Sequence, residues 1–176
     1  MTAAEERPGK RHVALVSTGG TIEKTYDELE GVLENRVSVL DVMLRQLQLG
    51  GVELERVPLM NKDSLEMTPA DHERIARTAL DRAEDCDGVV IVHGTDRLAN
   101  TGERIHALDP EPRVPIVLTG AIRPWVMRTT DALQNLTEAL LAVQIAPPGV
   151  YVAMHNKLLA FPGVRKDRVS GTFVKD

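Results

Sequence analysis

Short apolar runs alternate along the chain with longer amphipathic segments. Each apolar run has about the length of a strand, and most are rich in Val, Ile and Leu. Such alternation is typical of β-α-β crossovers, in which a parallel sheet is covered by helices on both faces. The pattern therefore predicts an α/β fold with a doubly wound, mostly parallel sheet. The predicted strands are residues 12–17, 52–58, 88–93, 114–119 and 150–154.

The amphipathic segments between these runs predict helices, because their apolar residues recur at helical spacing. Thr68 followed by Pro69 is typical of an N-cap with proline at the first helical position. Residues 156–176 have a weaker pattern, with short strands predicted at 158–161 and 171–174. The predicted helices are residues 38–49, 69–84 and 133–143.

Length and composition predict one ordinary globular domain. The 176 residues are 43% hydrophobic and 27% charged, which is typical of a folded chain that buries a single core. Aromatic residues make up only 3%, so this core must be aliphatic. We expect residues 1–176 to form a single domain with a flexible N terminus at 1–11.

Charge and hydropathy exclude several kinds of partner. The net charge of −5 and the lack of a Lys/Arg cluster with interleaved aromatics argue against nucleic acid. No stretch approaches the roughly 20 apolar residues of a membrane span, and the first apolar run is too short for a signal peptide. We therefore expect no membrane partner and a cytoplasmic location.

Metal-binding and thiol chemistry find little support in the sequence. Cys86 is the only cysteine, so it cannot form an internal disulfide or build a thiolate metal site alone. It lies between Asp85 and Asp87, which disfavour a reactive thiolate, and we interpret it as structural. His72 and His106 fall in helical segments without a metal-ligand partner at suitable spacing, so neither receives a role and no metal is predicted.

The chemistry is expected where strands end, because ligands of such sheets bind beyond the carboxyl ends of the strands. The first strand is followed by Thr18-Gly19-Gly20-Thr21-Ile22. Two glycines allow a sharp turn and a close approach of the backbone to a ligand. Neither a dinucleotide-binding nor a phosphate-loop pattern is present. In isolation, the segment also fits a plain glycine turn capped by a hydroxyl.

The third predicted strand delivers another hydroxyl and a carboxylate to the same edge of the sheet. It is followed by His93-Gly94-Thr95-Asp96. In isolation, Thr95 also fits a helix cap and Asp96 a residue that complements the helix dipole. Each motif is therefore weak alone, and the pair in order is specific.

Together these motifs resemble the L-asparaginase family across most of the chain. Thr18 to Ile22 is similar to the family's first signature, and His93 to Asp96 to its second. The resemblance implies the flavodoxin-like fold of the family's N-terminal domain. Further similar positions are 120–124, Asp131, Asn135 and Lys166.

The resemblance implies catalysis by threonine hydroxyls, each of which needs a base because a hydroxyl is a poor nucleophile. By this resemblance, Thr21 attacks the amide carbon and Tyr26 assists proton transfer. Thr95, Asp96 and Lys166 form a second set, with Lys166 the candidate base. Which threonine acts in which step stays open.

Substrate recognition should be polar, because a free amino acid presents an ammonium and a carboxylate that both need partners. The resemblance implies that Ser64 receives the α-carboxylate and Asp96 the α-ammonium. Gly20 and Asp63 are assigned to the same substrate site, and backbone N–H groups around Gly94 are natural oxyanion donors. The alternative for Ser64 is a turn hydroxyl before the next helix.

The implied activity is hydrolysis of L-asparagine to L-aspartate and ammonia, with weak or no action on glutamine. The resemblance implies no cofactor and a homodimer or homotetramer. Two alternatives stay open: an amidase of the same family that acts on another amide, and a module that binds asparagine or aspartate without turnover.

The sequence departs from the family in two respects. Leu65 stands where many relatives carry a polar residue that helps hold the substrate. The chain is also about half the usual length and lacks the smaller C-terminal domain, which completes the site of a neighbouring subunit. We favour a natural short form over a truncated domain, and expect the missing contacts to give a KM in the millimolar range or above, which is high for an enzyme.

Overall fold

A central sheet is built from the apolar runs, in a computed structural model that describes residues 9–175. Two single 3₁₀ turns, Thr21–Glu23 and Ser64–Glu66, follow two of its strands. The strands are β1 (Arg11–Gly19), β2 (Thr25–Asp27), β3 (Val32–Glu34), β4 (Val52–Lys62), β5 (Gly88–Val92), β6 (Pro115–Thr119), β7 (Gly149–Met154), β8 (Lys157–Ala160), β9 (Val164–Asp167) and β10 (Thr172–Lys175). The helices are α1 (Leu40–Arg45), α2 (Pro69–Asp85), α3 (Leu98–Leu108) and α4 (Ala132–Ile145).

The sheet has the order β4-β1-β5-β6-β7-β8 and is parallel except for β8. This is the doubly wound order of flavodoxin-like folds, extended by one antiparallel edge strand, so the predicted fold class is confirmed. Its crossovers change direction at β1, between β4 and β5. Ligands of such sheets bind at this switch point, beyond the carboxyl ends of the strands.

Helices cover both faces because the strands are apolar on both sides. Successive β1 residues from Val13 to Val16 are fully buried and belong alternately to two hydrophobic clusters. One cluster includes α2 and α3, and the other includes α1 and α4. Among the described residues, no helix is long and apolar enough to cross a membrane.

The predicted N-cap of α2 is confirmed. The Thr68 hydroxyl accepts a hydrogen bond from the Asp71 N–H, and the Asp71 carboxylate accepts one from the Thr68 N–H. This reciprocal pair satisfies two donors that the helix leaves free at its start.

The first predicted helix is shorter than its periodicity indicated. Residues 38–49 were expected to be helical, but α1 ends at Arg45. The Gln46 and Leu47 N–H groups bond to Met43 and Leu44, three residues back, which tightens and ends the helix. Leu47 still packs on the core without being helical.

Several short elements were not predicted. These are the β2–β3 hairpin, helix α3 and strand β9. Arg11, in the segment predicted to be flexible, pairs with Val52 at the start of β1, and residues 1–8 of that segment lie outside the described residues. The two strands predicted in the tail are present as β8 and β10.

The β9–β10 ribbon packs beside α3, and its position depends on a glycine. A Cβ on Gly102 of α3 would lie 2.1 Å from the Phe161 ring, so only glycine leaves room for this ring. Val164 and Phe173 are buried in the same cluster. This packing carries Lys166, on β9, to the carboxyl-terminal edge of the main sheet.

Candidate active site

The loop after β1 places Thr21 beside the loop after β5. Gly19 and Gly20 have φ values of 99° and 82°, in the left-handed region that favours glycine. A Cβ on Gly20 would lie 2.4 Å from the Cα of Gly94, and one on Gly19 would lie 2.4 Å from the nitrogen of Lys62. The glycines therefore permit both a backbone turn and close contact with neighbouring loops. Thr21 follows directly and begins a 3₁₀ turn.

The buried carboxylate of Glu23 stabilises the loop after β1. Glu23 accepts a hydrogen bond from the Gly19 N–H at 3.2 Å and another from the Ser38 hydroxyl. Burial raises the pKa of Glu23, opposed by the Ser38 hydrogen bond and by Arg56. Sequence reasoning missed this residue, because an acid two positions after Thr21 gives no signal that it turns inward.

The loops after β4, β5 and β6 are also in contact. A Cβ on Gly94 would lie 2.6 Å from the Ser64 Oγ, and one on Gly120 would lie 2.3 Å from the His93 carbonyl oxygen. Ser64 is buried, and its Oγ accepts a hydrogen bond from the Arg97 N–H at 3.3 Å. Three predicted strand ends thus meet in one place, as the parallel sheet requires.

Lys166 reaches this place from β9. Its Nζ donates hydrogen bonds to the Thr95 Oγ1 and to the Asp96 Oδ1, each at 2.9 Å. Thr95 is buried, and the Lys166 side chain is only 17% exposed. The structure therefore brings the Lys166 amine to a hydroxyl and a carboxylate that lie about 70 residues earlier in the sequence.

A chain of buried hydrogen bonds supports the loop after β5, which carries Thr95. The His93 Nδ1 lies 2.8 Å from the Gly94 carbonyl oxygen, and because a carbonyl only accepts, this nitrogen carries the proton. The His93 Nε2 then accepts from the Thr101 hydroxyl at 2.8 Å. Thr101 in turn accepts from the His72 Nδ1 at 2.7 Å. The chain places a proton on the Nδ1 of each imidazole and leaves the His93 Nε2 unprotonated, so the His93 ring is neutral.

His72, which received no role from its sequence pattern, is therefore part of the support of the site. It is buried, and its Nε2 has no hydrogen-bond partner among the described residues. Burial and the charge of Arg97 lower the pKa of His72, which favours the neutral ring. A helical position alone could not reveal this contact, because Thr101 belongs to a different helix.

We expect the stability of the fold to decrease as the pH falls from about 6.5 to about 4. Burial lowers the pKa of His93 from 6.5 to about 4, so in this window the unfolded chain binds a proton that the folded chain excludes. A pKa shift of this size corresponds to a loss of about 3 kcal/mol in the free energy of unfolding. Urea unfolding at pH 7, 5.5 and 4.5 measures it.

The matched variant for that experiment is His93→Gln, because a glutamine at this position does not titrate. Carboxylates and His72 contribute to the pH dependence of both proteins, so the difference between the two slopes reports His93. Equal slopes in the variant and the natural sequence would show that His93 is not buried as a neutral ring.

The loop at 120–124 is held by Asp131. Its carboxylate accepts hydrogen bonds from the N–H groups of Ile122 at 3.0 Å and Arg123 at 2.9 Å, and contacts the His155 Nε2 at 2.6 Å. Although burial opposes ionisation, these hydrogen bonds hold the pKa of Asp131 below its usual range. Asn135 donates to both Asp131 and the Gly120 carbonyl, which closes the network.

Two predicted site residues lie apart from this cluster. Tyr26 is on the β2–β3 hairpin, 63% exposed, and no hydrogen bond joins it to Thr21 in the described structure. Asp63 binds the Lys24 Nζ at 2.6 Å and caps the turn at Leu65. Although partial burial opposes ionisation, these contacts lower the pKa of Asp63. The roles predicted for Tyr26 and Asp63 stay predictions.

A polar cleft of about 240 Å³ opens beside Asp63. The threonines and Lys166 are not among its lining residues, so it flanks the cluster without containing it. The loop that carries Thr21 is linked to the loop that carries Thr95 through the backbone contact of Gly20 with Gly94. The residues that line the cleft are Lys24, Leu33, Glu34, Asn35, Asn61, Asp63 and Glu66.

Fold and site together define a class: a doubly wound α/β domain that gathers two threonine loops, a lysine and a carboxylate at its switch point. Residues 12–172 match the family model described as "Asparaginase, N-terminal". The chain therefore belongs to the asparaginase family, as its resemblance predicted.

Comparison with individual proteins gives the same family. The chain is 33% identical over 158 residues to an L-asparaginase of Thermococcus kodakarensis, covering 86% of this chain and 46% of that protein. It is 31% identical over 161 residues to a glutamyl-tRNA(Gln) amidotransferase component of Thermoplasma acidophilum, covering 88% and 38%. The chain thus spans less than half the length of these relatives.

A solved structure agrees with the fold. The thermostable L-asparaginase from Thermococcus kodakarensis superposes with a TM-score of 0.82 at 30% identity, covering 93% of this chain and 51% of the other. The fold of this chain is thus shared with a solved member of the family.

Proposed function

We propose that this chain hydrolyses the side-chain amide of L-asparagine to L-aspartate and ammonia through a threonine acyl-enzyme. The observation that carries the proposal is the Lys166 Nζ within 2.9 Å of both the Thr95 Oγ1 and the Asp96 Oδ1. A buried hydroxyl, an amine and an orienting carboxylate form the arrangement that nucleophilic catalysis requires.

In the proposed first step, the Thr21 Oγ attacks the amide carbon and transfers its proton to a base. The carbon–nitrogen bond then breaks, and the nitrogen leaves as ammonia after receiving a proton. Water, activated by a base, attacks the resulting aspartyl ester and regenerates the hydroxyl. We assign Thr95 and Lys166 to proton transfer, and the backbone N–H groups near Gly94 to the developing oxyanion.

Substrate binding in this proposal uses Ser64 for the α-carboxylate and Asp96 for the α-ammonium. Asp96 already accepts a hydrogen bond from Lys166 through its Oδ1, and we assign its Oδ2, which has no hydrogen bond among the described residues, to the ligand. The Ser64 hydroxyl accepts from Arg97 and retains its own proton for donation. Gly20 and Gly94 let the backbone lie close to the substrate between these groups.

A second function is favoured by one observation. Relatives at similar identity are named as components of an amidotransferase, so the same site in this chain would release ammonia from another amide for a protein partner. Both functions share the chemistry and differ in substrate and in the fate of ammonia. The third alternative, binding of asparagine or aspartate without turnover, predicts heat of binding and no ammonia.

Ammonia release from asparagine, glutamine and succinamic acid separates these functions. We expect asparagine to be the best substrate of the purified chain. Ser64 and Asp96 are assigned to the α-carboxylate and the α-ammonium, and succinamic acid has no α-ammonium group. Equal rates with all three would reject recognition of the amino acid. No release from any of them, with calorimetric binding of asparagine, would support the binding module.

For the chain assayed alone, we expect a KM for asparagine in the millimolar range or above, at the weak end for enzymes. The Asp63 carboxylate is engaged by Lys24, and Leu65 presents an exposed apolar side chain beside it. Both features reduce the polar groups available to a charged substrate. The dependence of initial rate on asparagine concentration measures KM, and a low micromolar value would contradict this expectation.

A further inference from the structure

A second group of potential ligands lies at the opposite edge of the sheet. His12 near the start of β1, Glu55 in β4 and Cys86 just after α2 each bring one donor atom within 4.8 Å of the others. We propose that these three side chains form a binding site for a Zn²⁺ ion. The site is separate from the threonine loops, which lie beyond the carboxyl ends of the strands.

The spacing of the donors fits a tetrahedral ion. The His12 Nε2 lies 3.7 Å from the Glu55 Oε2, and the Cys86 Sγ lies 3.8 Å from the same oxygen. Bonds of 2.0 to 2.3 Å at tetrahedral angles place neighbouring donors roughly 3.3 to 3.7 Å apart. The third pair of donors, on His12 and Cys86, lies within 4.8 Å, so the group must contract by no more than about 1.5 Å for all three to reach one ion.

The types of donor select the metal. Thiolate, imidazole and carboxylate together are a set that Zn²⁺ accepts, whereas Mg²⁺ and Ca²⁺ prefer oxygen ligands alone. The side chains of His12 and Glu55 are 44% and 35% exposed, so the ion has an open route from solvent. Three protein ligands leave the fourth position to water.

Two further contacts hold the ligands in place before an ion binds. The His12 N–H donates to the Asp87 Oδ2 at 2.9 Å, and the Asp87 N–H donates to the His12 carbonyl at 2.7 Å. These bonds fasten the backbone of His12 to the residue after Cys86. Arg82 donates to the Glu55 Oε1 at 3.1 Å, which leaves Oε2 facing the other ligands.

Charge and protons balance when the ion enters. The Cys86 thiol donates its proton to the Glu55 Oε2, and the ion takes the place of that proton between sulfur and oxygen. The S–H bond breaks, the proton leaves to water, and a metal–sulfur bond forms without any change in oxidation state. Thiolate and carboxylate then neutralise the two charges of Zn²⁺, and Arg82 stays paired with Glu55.

Cobalt(II) is the probe for this site, because it occupies zinc sites and reports its ligands by absorption. We expect titration of the full chain with Co²⁺ to give one bound ion, tetrahedral visible bands and a thiolate-to-cobalt charge-transfer band. Added Zn²⁺ should displace it. The Cys86→Ser variant should lose the charge-transfer band, and His12→Gln should bind at least about tenfold more weakly.

His106→Gln serves as the matched control, because His106 lies in α3 away from the cluster, and it should bind as the natural sequence does. Far-ultraviolet circular dichroism checks that each variant is folded, and the exposed His12→Gln variant alone is decisive if Cys86→Ser does not fold. An octahedral spectrum without charge transfer, or unchanged affinity in His12→Gln, would overturn the site. Ammonia release should be unchanged in His12→Gln.

Discussion

Replacing Lys166 with Met should lower kcat for asparagine by about 10³-fold, within the range expected when a positioned acid–base group is removed. The Lys166 Nζ is the group that joins the Thr95 hydroxyl to the Asp96 carboxylate. Met keeps the aliphatic stem against the protein while removing the amine. The steady-state rate of ammonia release measures the effect.

Lys175 supplies the control for this change. It lies on β10 of the same ribbon, is exposed, and donates to the Ala160 carbonyl, its only hydrogen-bond partner among the described residues. Lys175→Met should therefore retain full activity. In addition, Lys166→Ala should be partly rescued by small primary amines, whereas Lys175→Ala has no lost activity to restore. A Lys166→Met variant that keeps more than about a tenth of the natural kcat would show that this amine does not transfer the proton.

Replacing Thr21 with Ala should abolish turnover and leave the fold almost unchanged. The hydroxyl is the proposed nucleophile, and an alanine side chain cannot form the ester in its place. Thr21 is partly exposed in a loop, so we expect the free energy of unfolding to change by less than about 1 kcal/mol. Thr21→Ser keeps a hydroxyl and should retain measurable activity.

Thr25→Ala is the matched control, because Thr25 is a partly exposed threonine on the adjacent β2 strand. It should lose little activity. Calorimetry should also show that Thr21→Ala still binds asparagine, since the Ser64 and Asp96 groups are intact. Full turnover in Thr21→Ala would exclude this residue as the nucleophile and leave Thr95 as the alternative.

The main strands could be predicted from the sequence because burial on both faces makes them continuous apolar runs. Strand β7, from Gly149 to Met154, is an example, and β5, from Gly88 to Val92, is another. Strand β9 could not be predicted in this way, since Val-Arg-Lys-Asp has only one buried apolar residue. Its position depends on packing of Phe161 against Gly102, which is a tertiary contact.

In the candidate site, too, some residues could be predicted from the sequence and others could not. Gly20, Thr95 and Lys166 were identified through the family resemblance, and the structure brings the last two into contact. Glu23 and the His93–Thr101 hydrogen bond were missed, because no local pattern indicates which polar side chains turn inward. Loop residues at strand ends are accessible to sequence reasoning, whereas the buried polar groups that support them become visible only in the fold.

The cluster at His12, Glu55 and Cys86 gives a third case. A single cysteine between two acids predicted a structural thiol, and that interpretation considered only neighbours in sequence. The potential ligands come from three separate elements, so no motif spacing could reveal them. The proposed metal site and the proposed hydrolytic site lie at opposite edges of the sheet and can be tested independently.

The central claim is that a threonine at the switch point forms an ester with the substrate. It is tested most directly by mixing the chain with asparagine, quenching in acid within milliseconds to seconds, and measuring the intact mass and its peptides. The account predicts one added aspartyl group on the peptide containing Thr21, absent from Thr21→Ala. The same measurement is made on Lys166→Met, in which decay of the ester should be slowed. The account would be contradicted if ammonia were released while neither protein showed an added mass at any quench time.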